Sequence, residues 1–427
     1  MGGWRNISLL GGWFPVTVQV VAAGALLLAV GWRDHRWRWR VLPVVVVAAV
    51  LLALLAAYPG ARAMRQVDPL PFAVWFWLGA AAGALLVLVA GWRSARWWRR
   101  GTALLAAALA AFVCANGINQ FVGYYPTLGA AIDDWTHAPL PGQTTLPSAV
   151  RAAGAARVPE AGKLVAVTVP ATYSHFVHRQ ELVYLPPIWF VGHRRPVLPV
   201  VEMIGGQRGG PGDWVRLANA VQVADSYARL HGGYAPILVF ADATGHFSND
   251  TECVNGPKGN AADHLARDLP AYVQKTFGAS RNPRQWAVAG FSMGGTCSID
   301  LVVKYPNVFN HFVDISGDLV PYTGTRAQTL QDLYGGSVAA RRANEALSVM
   351  QAHGHYSNVS GVFLTSADEP RHQREARQLS EAAAKVGIRS RVEINPGTHT
   401  WQFAAPAFAS TFPWLVTELT TPTSPRA

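Results

Sequence analysis

Apolar residues follow two different patterns along this chain. Up to residue 123 they form long, nearly unbroken runs. Beyond it they come in short runs separated by amphipathic segments. Four uncharged stretches fall in the first part, at residues 6–32, 41–61, 70–92 and 101 to about 121. Each is long enough to cross a hydrocarbon core of ~30 Å as a helix. The first does not read as a cleaved secretory leader: one Arg precedes it, no small-residue cleavage site is evident, and three more spans follow. Residues 124–162 mix turn-forming and Ala-rich segments and read as a connector. Candidate strands follow at 164–169, 182–185, 198–204, 237–241, 286–289, 312–315, 362–365 and 391–394. Helix-like segments lie between them at 214–229, 261–277, 295–304, 339–352 and 371–386. This alternation predicts a mostly parallel sheet covered by helices over 163–420, with a short tail at 421–427. In such a sheet the reactive residues sit in loops beyond the carboxyl ends of the strands.

Charge adds an orientation. Residues 1–123 hold eleven Arg, no Lys and two acids, Asp34 and Asp68. Residues 124–427 hold 25 basic and 23 acidic residues, so the net charge of +11 belongs almost wholly to the apolar part. The second part therefore lacks the basic surplus that nucleic-acid binding requires. Arg33, Arg36, Arg38 and Arg40 share one loop, and Arg93, Arg96, Arg99 and Arg100 another. The third loop has only Arg62 and Arg65, and the N-terminus only Arg5. Positive loops resist translocation, so the two Arg-rich loops are expected in the cytoplasm and everything after the fourth span outside it. Both Arg-rich loops open Gly-Trp-Arg, at Gly31 and at Gly91, which suggests a duplicated helical hairpin. Gln19, Asn116 and Asn119 are the notable polar residues in or near the spans, and none is ionisable. A transport role usually needs an ionisable group there, so the spans read as a multi-pass anchor in the cell membrane.

The chemistry concentrates at Gly290-Phe291-Ser292-Met293-Gly294-Gly295. This follows an apolar strand and precedes a helix-like segment, the context of a nucleophile elbow. Ser292 is the expected nucleophile, and a Ser hydroxyl needs a base. The expected chain order is Ser, acid, His. His399 lies in a loop after the last candidate strand and is the expected base. His311, His353, His355 and His372 read as ordinary surface or strand-edge residues. Asp368, which ends Gly-Val-Phe-Leu-Thr-Ser-Ala-Asp, is the expected acid, with its neighbour Glu369 and then Asp318 as alternatives. The oxyanion donors are expected to be the backbone N–H of Met293 and of Gln207, the latter in a Gly-rich loop after the strand at 198–204.

Residues of roughly 160–415 resemble the putative-esterase family of α/β-hydrolases, which includes esterase D and the secreted mycolyltransferases. The matching pieces are VYLPP at 183–187, the Gly205-Gly206-Gln207 loop with Trp214 downstream, GFSMGG, the run from Tyr305 to Gly317, and GTHTW at 397–401. The loop departs from the mycolyltransferases at Gly205, where they carry an Asp, and their acid is a Glu in a differently built segment. A four-span anchor ahead of such a domain is similar to actinobacterial esterases. The resemblance implies an α/β-hydrolase domain behind an α-helical transmembrane unit. Cys297 is expected on the nucleophile's helix and Cys253 in a loop approaching the same sheet edge; outside the cytoplasm a Cys253–Cys297 disulfide can persist. Cys114, in the fourth span, reads as a small packing residue. No metal-ligand spacing, phosphate loop or dinucleotide fingerprint is present, so no metal and no cofactor are expected.

These features point to a membrane-anchored, extracytoplasmic serine esterase or acyltransferase. Its expected partners are the membrane and an ester substrate, of which a lipid-linked ester is the class the anchor suggests. The alternative is a catalytically silent envelope interaction module on a hydrolase fold. The arginine distribution makes a direct prediction: alkaline phosphatase fused after Ala427 is active, and a reporter that works only in the cytoplasm is silent at the same position. The reverse pattern of reporter activities would invert the assigned topology.

Overall fold

The computed structural model describes residues 3–31, 33–63, 70–136, 138–192 and 194–421. Arg65, Asp68 and most of the expected tail, 422–427, lie outside the described residues. The chain forms two compact units, Met1–Ala138 and Pro139–Ala427. The stretch read as a connector is divided between them. Its first part forms the helix Leu128–Trp135, and its second part supplies a short strand to the sheet.

The N-terminal unit is built on four helices, α1 (Trp13–Val30), α2 (Leu42–Ala63), α3 (Phe72–Gly91) and α4 (Trp97–Val122). All four spans are long and apolar enough to cross a membrane. Small residues line their seams: Ala22, Ala25 and Ala29 of α1 and Ala103, Ala106 and Ala110 of α4 are buried. A Cβ on Gly79 of α3 would lie 3.3 Å from the Ala53 methyl of α2. Large apolar side chains face outward, with Leu27 75%, Leu55 68% and Val89 73% exposed. Small residues inside and leucine outside suit helices packed in lipid, where backbones associate by close approach. Asn116 donates to the Leu9 carbonyl at 2.9 Å, and the Asn119 side chain accepts from the Tyr125 N–H at 2.6 Å. They fasten chain segments at one end of α4. The two Gly-Trp-Arg loops also meet: the Arg33 guanidinium packs on Gly91 and that of Arg99 on Gly31.

The second unit carries a nine-stranded sheet of β1 (Gln143–Thr144), β2 (Lys163–Val167), β3 (Glu181–Leu185), β4 (Val200–Ile204), β5 (Ile237–Ala241), β8 (Trp286–Phe291), β9 (His311–Ile315), β10 (Ser360–Ser366) and β11 (Arg389–Asn395); β6 (Asn255–Gly256) and β7 (Gly259–Asn260) form a separate hairpin. The order is β1-β2-β3-β5-β4-β8-β9-β10-β11. Within this sheet, among the described residues, the β2–β3 and β3–β5 pairings are antiparallel and the others parallel. Strands β3, β4, β5, β8, β9 and β10 are buried along their whole length. That explains why they read as continuous apolar runs rather than alternating ones. Two apolar cores cover the faces, one including Trp189 and Phe277, the other Trp214 and Phe408.

Departures from the sequence reading have local causes. The helix expected at 214–229 is broken into Asp213–Arg216 and Ala220–Leu230, because Asn219 takes a left-handed conformation, φ 51°. The segment 339–352 likewise divides into Val338–Arg342 and Ala346–His353. The long C-terminal helix Trp401–Thr420 was not expected; it accommodates Pro406 and Pro413, residues that disfavour a helix interior.

The structure joins Cys253 to Cys297, with Cα atoms 5.6 Å apart and a sequence separation of 44. The bridge ties the segment after β5 to the helix Met293–Lys304. A loop of this length implies a stabilisation of about 2–4 kcal/mol from the constrained unfolded chain. The paired change Cys253→Ala/Cys297→Ala is therefore expected to lower the denaturant midpoint of the second unit by a corresponding amount. Unchanged non-reducing unfolding of the double variant would contradict a formed bridge.

Candidate active site

Five loops meet beyond the carboxyl ends of the parallel strands. They follow β4, β8, β9, β10 and β11, and each delivers one part of the site. Ser292 leaves β8 at φ 58° and ψ −121° and opens the helix Met293–Lys304. Such a backbone is sparsely populated for a residue with a side chain, and it is held from outside. The Ser292 N–H donates to the Ile315 carbonyl at 2.9 Å, and the Ser292 carbonyl accepts from Thr296 N–H at 3.1 Å. Glycines make the turn possible: a Cβ on Gly290 would overlap the Gly294 carbonyl, and one on Gly294 would overlap the Ile204 carbonyl.

His399 comes from the loop after β11. Its Nε2 lies 2.9 Å from Ser292 Oγ, and its Nδ1 lies 2.5 Å from Glu369 Oε1. Its ring centroid is 5.0 Å from that of Phe291, which also meets Trp401 at 5.0 Å. Trp401 in turn stands edge-on to Trp214 at 5.2 Å. The Trp214 indole N–H donates to the Ile204 carbonyl at 2.9 Å. An aromatic row thus links the base loop to the end of β4. The base side chain retains 21% exposure, while Glu369 is buried at 3%.

The acid expectation is corrected here. Asp368 is exposed, and its backbone N–H turns back to Ser366 Oγ at 3.1 Å. Glu369, one residue along, turns inward ahead of Pro370, the first residue of the helix Pro370–Lys385. Neighbouring residues on this tight turn face opposite ways, so only one reaches His399. Asp318 is spent elsewhere: it pairs with Arg371 at 2.5 Å and with His372 at 3.3 Å. The sequence carried a signal for Glu369. Glu-Pro at a helix start places the Glu at the capping position and the Pro at the first turn, where proline is favoured.

Glu369 is densely supported. Besides His399, its Oε1 receives His372 Nδ1 at 2.9 Å. Its Oε2 accepts from Ser316 Oγ–H at 2.7 Å and from the Ser366 N–H at 3.3 Å. Burial alone would raise this carboxyl, but hydrogen bonds and charge from His372 and His399 hold it far below the usual carboxylate range. An ionised acceptor opposite Nδ1 fixes a proton there and leaves the Nε2 lone pair for Ser292. His372 and Ser316 were missed from sequence. A His in the first turn of an amphipathic helix and a Ser just after a strand carry no spacing that marks them.

The expected oxyanion donors border the nucleophile. Met293 is the first residue of its helix, so its N–H has no intrahelical acceptor. A Cβ on Gly206 would lie 3.5 Å from the Ser292 Cβ, which brings the loop carrying Gln207 alongside. The Gln207 side chain itself is turned to Asp250, at 2.5 Å. Three further contacts hold this loop: Gly210 N–H to Asp213 at 2.9 Å, Arg179 Nη2 to the Gly209 carbonyl at 2.7 Å, and Arg179 Nη2 to Asp242 at 2.7 Å. Burial tends to raise Asp242, but the Arg179 pair outweighs it and holds the carboxyl below its usual range.

Among the described residues three groups bring His and carboxylates within 4.8 Å: His178/Glu181/His264, Glu369/His372/His399 and Asp318/His372/Glu375. Both ring nitrogens of His178 already face carbonyl oxygens, of Val169 at 2.8 Å and Arg179 at 2.9 Å. The other two groups bond to one another, and His399 offers its free nitrogen to Ser292. What the arrangement can do chemically is move a proton from Ser292 Oγ to His399 beside a buried anion.

Sheet order, elbow and this hydrogen-bonded row define an esterase-type α/β-hydrolase. The chain belongs to the family described as Putative esterase, whose model matches residues 178–415. An uncharacterized protein of Corynebacterium glutamicum is 30% identical over 441 residues, covering 97% of this chain and 98% of that protein. Among solved structures, an S-formylglutathione hydrolase from Agrobacterium tumefaciens is 17% identical, with TM-score 0.49, over 61% of this chain and 97% of that one. MPT51 of Mycobacterium tuberculosis is also 17% identical, with TM-score 0.44, over 59% of this chain and 97% of that one.

The acid assignment makes a paired prediction. Glu369→Gln lowers kcat by at least about 10²-fold with KM little changed, as loss of an orienting carboxylate does. Asp368→Asn has little effect. Steady-state hydrolysis of a short-chain p-nitrophenyl ester measures both, and greater damage from Asp368→Asn would reverse the assignment.

Proposed function

We propose that this protein is a membrane-anchored serine esterase or acyltransferase whose catalytic domain works outside the cytoplasm. The observation that carries the reading is the row from Ser292 Oγ through His399, at 2.9 Å, to Glu369, at 2.5 Å. In the first half-reaction Ser292 Oγ attacks the ester carbonyl as its proton passes to His399 Nε2. The N–H groups of Met293 and Gln207 receive the developing oxyanion. The tetrahedral intermediate then collapses: the carbon–oxygen bond to the alcohol breaks, and the alcohol leaves with the proton from His399. An acyl group remains on Ser292. In the second half-reaction water or another alcohol adds, with His399 taking its proton, and Ser292 is released.

Hydrolysis and transfer differ only in that second acceptor. The partly exposed His399 and the exposed Gln207–Arg208 loop support entry from solvent. Four apolar spans favour an ester carried by an envelope lipid as the substrate class, because an anchor confines the enzyme to the membrane that holds it.

The test uses the full chain in detergent. A fluorophosphonate probe is expected to label wild type and not Ser292→Ala, and the variant is expected to lose ester cleavage while keeping its fold. Incubation with labelled envelope lipids, with and without alcohol acceptors, then separates the two outcomes by product. Turnover retained by a folded Ser292→Ala protein would remove the mechanism, and an unlabelled wild type would return the chain to a silent interaction module.

A further inference from the structure

Two imidazoles share one carboxylate oxygen in this site. His399 Nδ1 and His372 Nδ1 reach Glu369 Oε1 at 2.5 and 2.9 Å. Their rings stack with centroids 5.2 Å apart and planes 25° apart. His372 is itself enclosed. Its Nε2 lies 3.3 Å from Asp318 Oδ1, and its side chain is 11% exposed.

We propose that His372 is a positioning residue that acts through Glu369 and His399: it stays an imidazolium through turnover, aims the shared carboxylate, and opposes the charging of His399. The proposal rests on the reading of His399 as the general base. The groups facing His372 decide its charge. Glu369 and Asp318 favour the cation directly, and Glu375, from the same helix, adds to them. Arg371 Nη2, 3.0 Å from Nε2, opposes it, but Arg371 is itself paired with Asp318 and with Glu375 at 3.6 Å. Asp314, buried beneath on β9, is pushed up to about 7 by its burial. Burial disfavours the His372 cation, yet the two carboxylates outweigh it and push the ring up to about 9.

The mechanical consequence follows from the oxygen they share. A carboxylate oxygen offers two in-plane acceptor directions. With one ring in each, Glu369 cannot swing away from His399. The electrostatic consequence has the opposite sign to that of an ordinary triad acid. A carboxylate alone stabilises the imidazolium form of the base. A second cation on the same oxygen takes up part of that stabilisation and disfavours a further positive charge beside it.

The test is the pH profile of kcat/KM for the full chain in detergent, with a short-chain p-nitrophenyl ester and active sites counted by fluorophosphonate. For His372→Gln the acid limb is expected to move up by about one pH unit, the effect of removing a like charge within about 4–6 Å. Below that limb kcat falls while KM stays near wild type. His372→Lys returns a cation to the position and is expected to bring the limb back toward wild type. A folded His372→Gln enzyme with an unmoved acid limb overturns the proposal. So does a folded His372→Lys enzyme whose limb has moved up, which keeps the test decisive where the Gln variant does not fold. Residual turnover in Ser292→Ala is a separate failure, because it removes the base reading and not this role alone.

Discussion

One buried carboxylate organises the site. Glu369 is 3% exposed and charged, a combination that costs several kcal/mol unless the charge is met by donors. The protein meets it with four, drawn from four segments: His399 after β11, His372 on the helix Pro370–Lys385, Ser316 after β9 and the Ser366 N–H at the end of β10. Each donor therefore has its place fixed by the same demand. The base is oriented because the anion needs it as much as it needs the anion. Removing the charge frees four groups at once.

That demand could not be met without the sheet. Strands β8, β9, β10 and β11 are adjacent and parallel, so their carboxyl ends open onto one edge. The register pairs Phe291 with Ile315 and Ile315 with Leu364, and so sets Ser292, Ser316 and Ser366 just beyond it. The glycines of the elbow then permit close approach of the nucleophile's helix to the end of β4. On the other side of the nucleophile, Arg179, itself held by Asp242, donates to the Gly209 carbonyl and so holds the loop bearing Gln207. Catalytic geometry here is a property of neighbouring strand ends, and the loops add only short reaches from them.

What the sequence revealed follows from which signals are local. The spans are legible because twenty consecutive apolar residues have few other uses. Ser292 is legible because the elbow's glycines, strand and helix are contiguous, and His399 because it follows the last strand. The acid failed by one residue, since the direction of a side chain on a tight turn depends on the backbone and not on residue type. His372 was invisible for a different reason. Asp318 and His399, which it meets in space, lie far away in the chain, and nothing in the helix spacing marks it. The helix Trp401–Thr420 was hidden by two prolines whose missing N–H bonds the packed apolar face offsets.

The two parts of the chain follow opposite rules for where large apolar side chains sit. In the N-terminal unit many buried helix positions are Ala, beside a few Val such as Val45, Val74, Val87 and Val113, while large apolar side chains such as Leu27, Leu55, Phe72 and Val89 are exposed. In water each exposed Leu or Val would forgo about 1.5–3 kcal/mol of burial, a cost that an apolar surrounding removes. The hydrolase unit obeys the opposite rule: its apolar residues fill two cores. The two rules impose different limits on charge. Arginines can cluster at span ends, where aromatic rings and headgroups accept them, as Arg33 does over Trp37 at 3.8 Å. Within the hydrolase a charge survives burial only with a partner, as Asp242 does with Arg179. Glu202 in β4 shows the other outcome: it is buried with no hydrogen-bond partner on either carboxylate oxygen, and burial raises its carboxyl well above the usual range and keeps it neutral, whereas the strand ends gather four donors around Glu369 and keep it charged.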